Sequence, residues 1–155
     1  ARAFPSDEGL SVYLHDVTER RELERRQEES LRAIQRLYAV SSDQERTFEA
    51  KVAEILTIGC EYLDMPNGFL TRIEDGTQHI EVSHATHPLL QPGETCPLDE
   101  AYCKRTLERD QLLTIVDASA EGWAGDPAYE TFGLETYVGG RVEVEGERFG
   151  TLCFA

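Results

Sequence analysis

The sequence has very little lysine and no long apolar run. Only Lys51 and Lys104 are lysines, the other 13 of the 15 basic residues are arginines, and 30 residues are acidic. The formal net charge of −15 excludes a nucleic-acid partner, because phosphate binding needs a basic stripe. No apolar run approaches the roughly 18 residues that cross a membrane, and no signal-peptide pattern is present. We therefore expect no membrane contact in this stretch and a cytoplasmic location.

The chain is long enough for one domain with a core of its own. It has 155 residues, of which 40% are hydrophobic, so it is globular and not disordered. A domain of this length buries roughly 68–70% of its unfolded surface and needs no disulfide or metal to fold. Without a secretory signal, the four cysteines are expected as reduced thiols. They are Cys60, Cys96, Cys103 and Cys153.

The excess of acidic residues has two explanations, and charge alone leaves both open. At about 1 M salt the screening length falls to about 3 Å, so a salt-loving cytoplasm tolerates this much like charge. The alternative is an ordinary acidic bacterial domain. Residues 18–40 hold six arginines and five glutamates, a net of +1, whereas residues 41–155 hold a net of −14. The acidity therefore belongs to the second part of the chain.

The N-terminal residues have the pattern of a β-strand. Leu10, Val12 and Leu14 alternate with more polar neighbours and predict a half-buried strand over 9–15. No partner strand is evident nearby in the sequence.

A helix is predicted from Glu19 to about Val40, since this stretch contains neither glycine nor proline. Thr18 is suited to cap its N-terminus. The residues leave two interpretations open: a solvated helix with i,i+4 ion pairs, or a connecting helix that dimerises as a short coiled coil. Residues 41–43 are expected to end this helix and to cap a second, amphipathic helix that runs to Leu63.

The remainder of the chain alternates short helices with strands joined by tight turns. Two β-hairpins are predicted, with turns at 75–76 and around 145–147. Between them lie a helix over 98–108, a buried strand over 112–116 and a helix capped by Asp126. Strands joined by tight turns pair antiparallel, so we predict an α+β fold with an antiparallel sheet and helices on its faces.

The strongest metal-ligand pattern is His84 and His87 with Cys96 and Cys103, residue types that suit zinc. The spacing of two, eight and six intervening residues is not that of a zinc knuckle or ribbon. The alternative is two loop histidines and two small buried thiols, so no metal is predicted. A glycine-rich phosphate loop is missing, and no signature places a histidine beside a cysteine nucleophile. No catalytic residue is predicted, and the residues identify no cofactor.

Aromatic and soft side chains are concentrated in the second half of the chain. Small-molecule pockets have this composition, but so do ordinary cores beneath long loops. Composition therefore leaves a ligand pocket and a filled core both open. The residues are Tyr102, Cys103, Trp123, Tyr129, Phe132 and Tyr137.

A series of sequence blocks resembles GAF domains of haloarchaeal sensor proteins over about residues 45–155. The ordered series carries the resemblance, and no single block does. The blocks lie at 68–73, 96–98, 102–106, 122–123, 126–129, 132–134, 137–140 and 150–154.

The sequence Asp-Val-Thr-Glu-Arg-Arg at 16–21 resembles the exit of a PAS domain into a signalling helix. Together the resemblances imply three parts: the end of a PAS domain over 1–17, a connecting signalling helix over 18–40 and a GAF domain over 41–155. This series is typical of a cytoplasmic sensor, either a histidine kinase of a two-component system or a bacterio-opsin-activator-like regulator. The chain is thus expected to be part of a longer protein, and the resemblance favours a halophilic source.

The GAF resemblance implies an antiparallel sheet of five to six strands, flanking helices and a small-molecule pocket on one face. The family's C-terminal helix, which pairs with the N-terminal one in the dimer, has no counterpart here. That departure argues against dimerisation through the helix bundle of the family, and a homodimer is expected through the connecting helix instead. The side chains expected to line the pocket are Phe69, Cys96, Tyr102, Cys103, Trp123, Tyr129 and Tyr137.

Three functional classes of the GAF family have motifs that this sequence lacks. Bilin-binding members place a Cys-His pair in a helix, but no cysteine lies over 128–133, and Cys103 is followed by Lys104. The Asn-Lys-x-Phe-Asp-Glu motif of cyclic-nucleotide binders is absent. The third class is free methionine-R-sulfoxide reductase, an enzyme with this fold. Cys96 of the present sequence falls near one of that enzyme's cysteine positions. Asp-Pro-Ala at 126–128 stands where that enzyme has Ala-Cys-Asp.

We therefore expect a non-enzymatic sensory module that binds a small molecule or relays a signal through its N-terminal helix. One alternative is a structural dimerisation spacer without a ligand. Another is a cysteine-dependent enzyme similar to the methionine sulfoxide reductase. A redox sensor would need an exposed thiol of low pKa.

Overall fold

The computed structural model describes residues 2–6, 9–13 and 18–155. Within these ranges there are eight strands and four α-helices, with 3-10 turns at Pro88–Leu90 and Leu98–Glu100. The strands are β1 Arg2–Ser6, β2 Gly9–Tyr13, β3 Gly68–Glu74, β4 Thr77–His84, β5 Thr95–Pro97, β6 Leu113–Ile115, β7 Tyr137–Val144 and β8 Glu147–Phe154. The helices are α1 Thr18–Ser42, α2 Phe48–Leu63, α3 Tyr102–Leu107 and α4 Pro127–Phe132.

Six strands form one antiparallel sheet in the order β5-β4-β3-β8-β7-β6. The central strands β3 and β8 pair through residues 68–72 and 150–154. The hairpins β3–β4 and β7–β8 turn at 75–76 and 145–146, where all four residues have positive φ. Such turns match the twist of the flanking strands, and glycine adopts this conformation without strain. The predicted α+β fold, with its antiparallel sheet of five to six strands and both hairpins, is confirmed with six strands.

The N-terminal strand has a partner that the sequence did not reveal. β1 and β2 form a separate antiparallel hairpin in which Ser6 lies opposite Gly9. The expectation that the strand over 9–15 lacks a nearby partner is therefore wrong. The sequence pattern did not predict β1 because this strand contains Pro5, and a proline argues against a strand. Residues 14–17 lie outside the described residues, so the assignment of a PAS end stays a prediction.

The boundary between the two long helices differs from the prediction. α1 continues past Val40 because the hydroxyls of Ser41 and Ser42 donate hydrogen bonds of 2.7 and 2.8 Å to carbonyl oxygens one turn earlier. The cap of α2 is Thr47, whose hydroxyl accepts a 3.3 Å hydrogen bond from a backbone N–H three residues on. The prediction of a cap within 41–43 is therefore wrong. Several residues of this polar stretch have cap chemistry, and local sequence does not rank them.

The segment before β6 is also more broken than predicted. The predicted helix over 98–108 is a 3-10 turn followed by Ala101 in an extended conformation (φ −122°, ψ 142°), and α3 begins only at Tyr102. β5 precedes this turn and was not predicted, because three residues ending in Pro97 show no alternation. The next helix, α4, begins as predicted with Asp126 as its cap, which accepts a 3.0 Å hydrogen bond from a backbone N–H.

Each face of the sheet carries a hydrophobic core. Phe69 and Cys153 point to one face, and their neighbours Leu70 and Leu152 point to the other, as strand alternation requires. α2 covers the second face, where Val52 packs on Leu70. α3, α4 and the connecting loops cover the first face, which holds the larger core. Its buried members include Ile80, Leu90, Ala101, Tyr102, Cys103, Leu113, Ile115, Ala118, Ala128, Phe132, Leu134 and Tyr137.

α1 contacts the body of the domain mainly through α2. The guanidinium of Arg36 pairs with the carboxylate of Glu61 and lies 3.5 Å from that of Glu54. Among the described helices, none has both the length and the apolar character to cross a membrane. Several large apolar side chains of α1 are exposed. They are Leu23, Leu31, Ile34 and Tyr38.

Candidate ligand cavity and buried thiol cluster

A small cavity lies between the sheet and the helices that cover its larger core. Its volume of about 10 Å³ is enough for one water molecule. Any larger ligand must therefore displace side chains. The cavity is lined by Phe69, Gln78, Leu90, Tyr102, Cys103, Phe132, Leu134 and Tyr137.

The structure brings four of the seven predicted pocket residues to this cavity. They are Phe69, Tyr102, Cys103 and Tyr137. The other three are Cys96, Trp123 and Tyr129, which are partly buried and pack against the same core without lining the cavity. Gln78 was not predicted as a pocket residue, yet strand alternation could have found it, because it lies two residues before the buried Ile80 in β4.

Gln78 is the polar residue of the cavity that has no partner for its side-chain oxygen. The residue is 2% exposed. Among the described residues, its Oε1 is the one buried side-chain oxygen or nitrogen that has no hydrogen-bond partner. A buried acceptor left in this state costs about 1–3 kcal/mol. The cavity thus offers an acceptor to any water or ligand that brings a hydrogen-bond donor.

Three aromatic rings form a stack beside the cavity. The Tyr102 ring lies 5.1 Å from that of Tyr137 and 5.2 Å from that of Trp123, centroid to centroid. The Tyr102 hydroxyl donates a 2.9 Å hydrogen bond to the carbonyl oxygen of Leu134. Burial, with a smaller contribution from Asp126, raises the pKa of Tyr102 to about 12. Tyr102 is therefore a neutral donor at physiological pH and fixes the start of α3 against the loop before β7.

Buried hydroxyls and thiols from four elements meet next to this stack. We call them the thiol cluster: Thr71, Cys103, Thr106, Tyr137, Thr151 and Cys153. The Tyr137 hydroxyl lies 2.8 Å from Thr106 Oγ1 and 3.0 Å from Cys153 Sγ. The Thr151 hydroxyl lies 3.0 Å from Cys103 Sγ and 2.8 Å from the hydroxyl of the β3 threonine. This network ties α3 to β3, β7 and β8.

The two sulfur atoms of the thiol cluster lie 4.0 Å apart, and both cysteines are free. Burial raises the pKa of Cys153 well above its ordinary value. At Cys103 burial also favours the neutral thiol, but the hydrogen bonds around its sulfur, of which the Thr151 hydroxyl donates one at 3.0 Å, outweigh burial and lower the pKa. Of the two thiols, Cys103 is therefore the one that ionises first.

Cys96 lies at the edge of this core on β5. Burial raises the pKa of its thiol to about 11, with further contributions from Cys103 and Glu100. A thiol in that state is a poor nucleophile at neutral pH, because the thiolate is the reactive form. Tyr129 lies at the same edge, and its hydrogen bond to the Glu135 carboxylate raises the pKa of the phenol.

The four residues whose types suit zinc, His84, His87, Cys96 and Cys103, are not assembled into a metal site. His84 Nδ1 lies 3.3 Å from the hydroxyl of Thr57, and His87 Nε2 lies 3.1 Å from the carbonyl oxygen of Phe132. Cys103 belongs to the thiol cluster. Over 18–155 and the two short strands before it, no group of three or more His, Cys, Asp or Glu side chains is placed to hold a metal ion.

Comparison with known proteins finds similarity at the level of structure. Neither the profiles of known families nor the curated proteins give a match. The GAF domain of A. aeolicus NLH2 in an inactive state superposes with a TM-score of 0.62 at 17% identity, over 83% of this chain and 80% of that one. The phycoerythrobilin-bound GAF domain of a cyanobacterial phytochrome gives 0.65 at 14% identity, over 81% of each chain.

An enzyme is also among the similar structures. Free methionine-R-sulfoxide reductase of Neisseria meningitidis, in complex with its substrate, gives a TM-score of 0.63 at 10% identity, over 93% of this chain and 77% of that one. Identities of 10–17% establish a shared fold and leave the chemistry to the site. With its six-stranded antiparallel sheet, its flanking helices and these neighbours, the chain has the GAF fold.

Proposed function

We propose that the chain is a non-enzymatic regulatory module of a cytoplasmic signal-transduction protein, and that it senses a small molecule in the cavity. The observation that carries this proposal is that Gln78 lines the cavity and its buried Oε1 has no hydrogen-bond partner. The fold supports it, because a bilin-bound phytochrome domain shares this architecture.

The cavity lining defines the ligand's chemistry. Gln78 supplies an acceptor, while the hydroxyl of Tyr102 is already used by Leu134. No lysine, arginine or histidine lines the cavity, so an anionic group would be buried without a counter-charge. No acidic side chain lines the cavity either, so we infer a compact, uncharged ligand with at least one N–H or O–H donor and an apolar face.

Ligand entry requires the aromatic stack to open. Trp123 lies on a loop, packs on the Tyr102 ring and is only partly buried. Since the cavity itself holds one water, we propose that Trp123 moves aside when a ligand enters. The ligand then selects a state of the loop that differs from the closed one, as any ligand-driven signal requires.

The signal is proposed to leave the domain through α2 and α1. α2 packs on β3 and β4, and β4 carries Gln78, while Arg36 connects α1 to α2 through Glu61 and Glu54. We further propose that α1 dimerises through its exposed apolar residues and continues from a PAS domain. The full protein would then be a histidine kinase or a related regulator of a halophilic organism.

A thermal-shift screen tests the ligand proposal. The panel contains small aromatic amines and alcohols, each with a carboxylate of the same size, and is applied to wild type, Gln78→Met and Gln111→Met. We expect compounds with a donor to raise the melting temperature of wild type and of Gln111→Met, whose glutamine is exposed. Shifts that persist in Gln78→Met contradict the assigned cavity. If no compound shifts any variant, the domain is a structural spacer.

A further inference from the structure

The paired sulfurs of Cys103 and Cys153 have a geometry that ligand binding does not explain. They lie 4.0 Å apart on α3 and β8, two regular elements that pack against each other. A disulfide needs a sulfur–sulfur distance of about 2.05 Å, so an approach of about 2 Å is required. The other two cysteines lie elsewhere: Cys60 on α2, where its thiol faces the His84 carbonyl, and Cys96 on β5.

We propose that Cys103 and Cys153 form a disulfide when a small hydroperoxide enters the cavity, which makes the thiol cluster a redox-modified site. This proposal goes beyond ligand sensing and is independent of it, since it depends on two sulfur atoms and an oxidant. The cavity sets the class of oxidant. Cys103 lines it, and its volume of about 10 Å³ suits a molecule little larger than water, such as hydrogen peroxide.

The reaction proceeds in two balanced steps. The sulfur of Cys103 attacks one peroxide oxygen, the O–O bond breaks, and the leaving hydroxide takes the thiol proton as water, so that a sulfenic acid forms. The sulfur of Cys153 then attacks the sulfenic sulfur, the S–O bond breaks, and hydroxide leaves with the proton of the second thiol as a second water. The two sulfurs together lose two electrons, which the peroxide takes up.

The surroundings favour Cys103 as the attacking sulfur. The Thr151 hydroxyl lies 3.0 Å from this sulfur and donates to it, which stabilises negative charge there. Cys153 does not line the cavity, and its thiol donates a 3.2 Å hydrogen bond to the Thr151 hydroxyl. Cys153 is therefore the second sulfur, which attacks after the peroxide has reacted with Cys103. The lowered pKa of Cys103 agrees with this order.

Oxidation must change the cavity as well. Closing the sulfur pair draws α3 toward β8 and breaks the contacts of Cys103 and Cys153 with the hydroxyls around them. α3 begins with Tyr102, whose ring packs on Trp123. Trp123 is the single tryptophan of the chain, so its fluorescence reports this displacement directly.

Peptide mapping after peroxide treatment tests the proposal. Cleavage after glutamate places the four cysteines in separate peptides, 55–61, 95–100, 101–108 and 148–155, whereas trypsin leaves Cys96 and Cys103 together. We expect hydrogen peroxide to yield one product that has lost two hydrogens, in which 101–108 is linked to 148–155. Dithiothreitol should reverse both the link and a change in Trp123 emission. Cumene hydroperoxide, which needs a larger displacement of the side chains around the cavity than hydrogen peroxide does, should react more slowly.

Matched variants separate this disulfide from other oxidation. Cys60→Ala and Cys96→Ala keep the pair and should form the link like wild type, whereas Cys153→Ala should stop at the sulfenic acid, which dimedone traps. Should Cys153→Ala fail to fold, the map of wild type alone decides. A link between 95–100 and 101–108, or peroxide treatment that leaves all four thiols free, overturns the proposal. Neither result bears on ligand binding, which the Gln78→Met screen tests separately.

Discussion

The ring of Tyr137 lies back along its own strand over Gly139, and this contact places the Tyr137 hydroxyl in the thiol cluster. A Cβ at position 139 would overlap the phenol ring and its hydroxyl, so the residue there must lack a side chain. A Cβ at the neighbouring position 140 would meet only the side chain of Leu112, at 2.8 Å, and Leu112 is largely exposed. The two adjacent glycines therefore have different roles.

Gly139→Ala should destabilise the domain, because the added methyl group drives the Tyr137 ring out of its position. Overpacking of this kind costs about 1–3 kcal/mol in the free energy of unfolding, measured by urea denaturation. Gly140→Ala is the matched control and should cost much less, since a flexible surface side chain can move away. Equal losses in both variants would show that the contact with Tyr137 is not the cause.

Stability should fall at alkaline pH because buried acids keep their protons in the folded state. The pKa of Cys96 is raised from 9.0 to about 11, and that of Tyr102 from 10.0 to about 12. Between each pair of values the folded chain binds more protons than the unfolded one, so the free energy of unfolding decreases as pH rises. Urea midpoints should be level up to pH 9 and then fall. Tyr102→Phe should remove the fall in the urea midpoint that occurs between pH 10 and 12. A fall over this range that is the same in Tyr102→Phe would contradict the raised pKa assigned to Tyr102.

High salt should stabilise the domain. The net charge of −15 creates repulsion within the folded chain, and salt at molar concentration reduces the screening length to about 3 Å. Exposed ion pairs such as Arg20–Glu24 are screened too, but such pairs contribute little to stability. The melting temperature should therefore rise between about 0.1 M and about 3 M KCl. A melting temperature that does not change would argue against adaptation to a saline cytoplasm.

α1 should mediate dimerisation through its exposed apolar stripe. Leu31 and Ile34 are 59% and 58% exposed, and together with Tyr38 they have the three- and four-residue spacing of a coiled-coil seam. We expect wild type to sediment as a dimer and Leu31→Glu/Ile34→Glu to sediment as a monomer of unchanged fold. Leu112→Glu, which alters an exposed apolar residue away from α1, is the control and should remain dimeric. A monomeric wild type would contradict the prediction.

Free methionine sulfoxide should not be turned over. The thiol of Cys96, which lies nearest to the reductase-like position, has a pKa of about 11 and no cation that lowers it. With a thiol reductant, wild type, Cys96→Ser and Cys103→Ser should all reduce the sulfoxide at the background rate. A wild-type rate above background that either substitution abolishes would establish an enzyme.

The sequence determined the parts of this protein that depend on neighbouring residues. The residues of the two tight turns predicted the hairpins and therefore the antiparallel sheet, because turn chemistry is local. Local pattern also predicted the cap of α4 at Asp126. It did not locate the C-terminus of α1 or the N-terminus of α2, where several polar residues offer equivalent caps, nor β1 and β5, which are short and contain proline.

The tertiary structure decided the site. Aromatic composition drew attention to Tyr102 and Tyr137, but no local pattern shows that Gln78 faces them without a partner, or that Cys103 and Cys153 lie 4.0 Å apart after 49 intervening residues. Such relationships arise only when distant strands and helices pack together. Burial then turns an ordinary amide into an unpaired acceptor and two ordinary thiols into a pair.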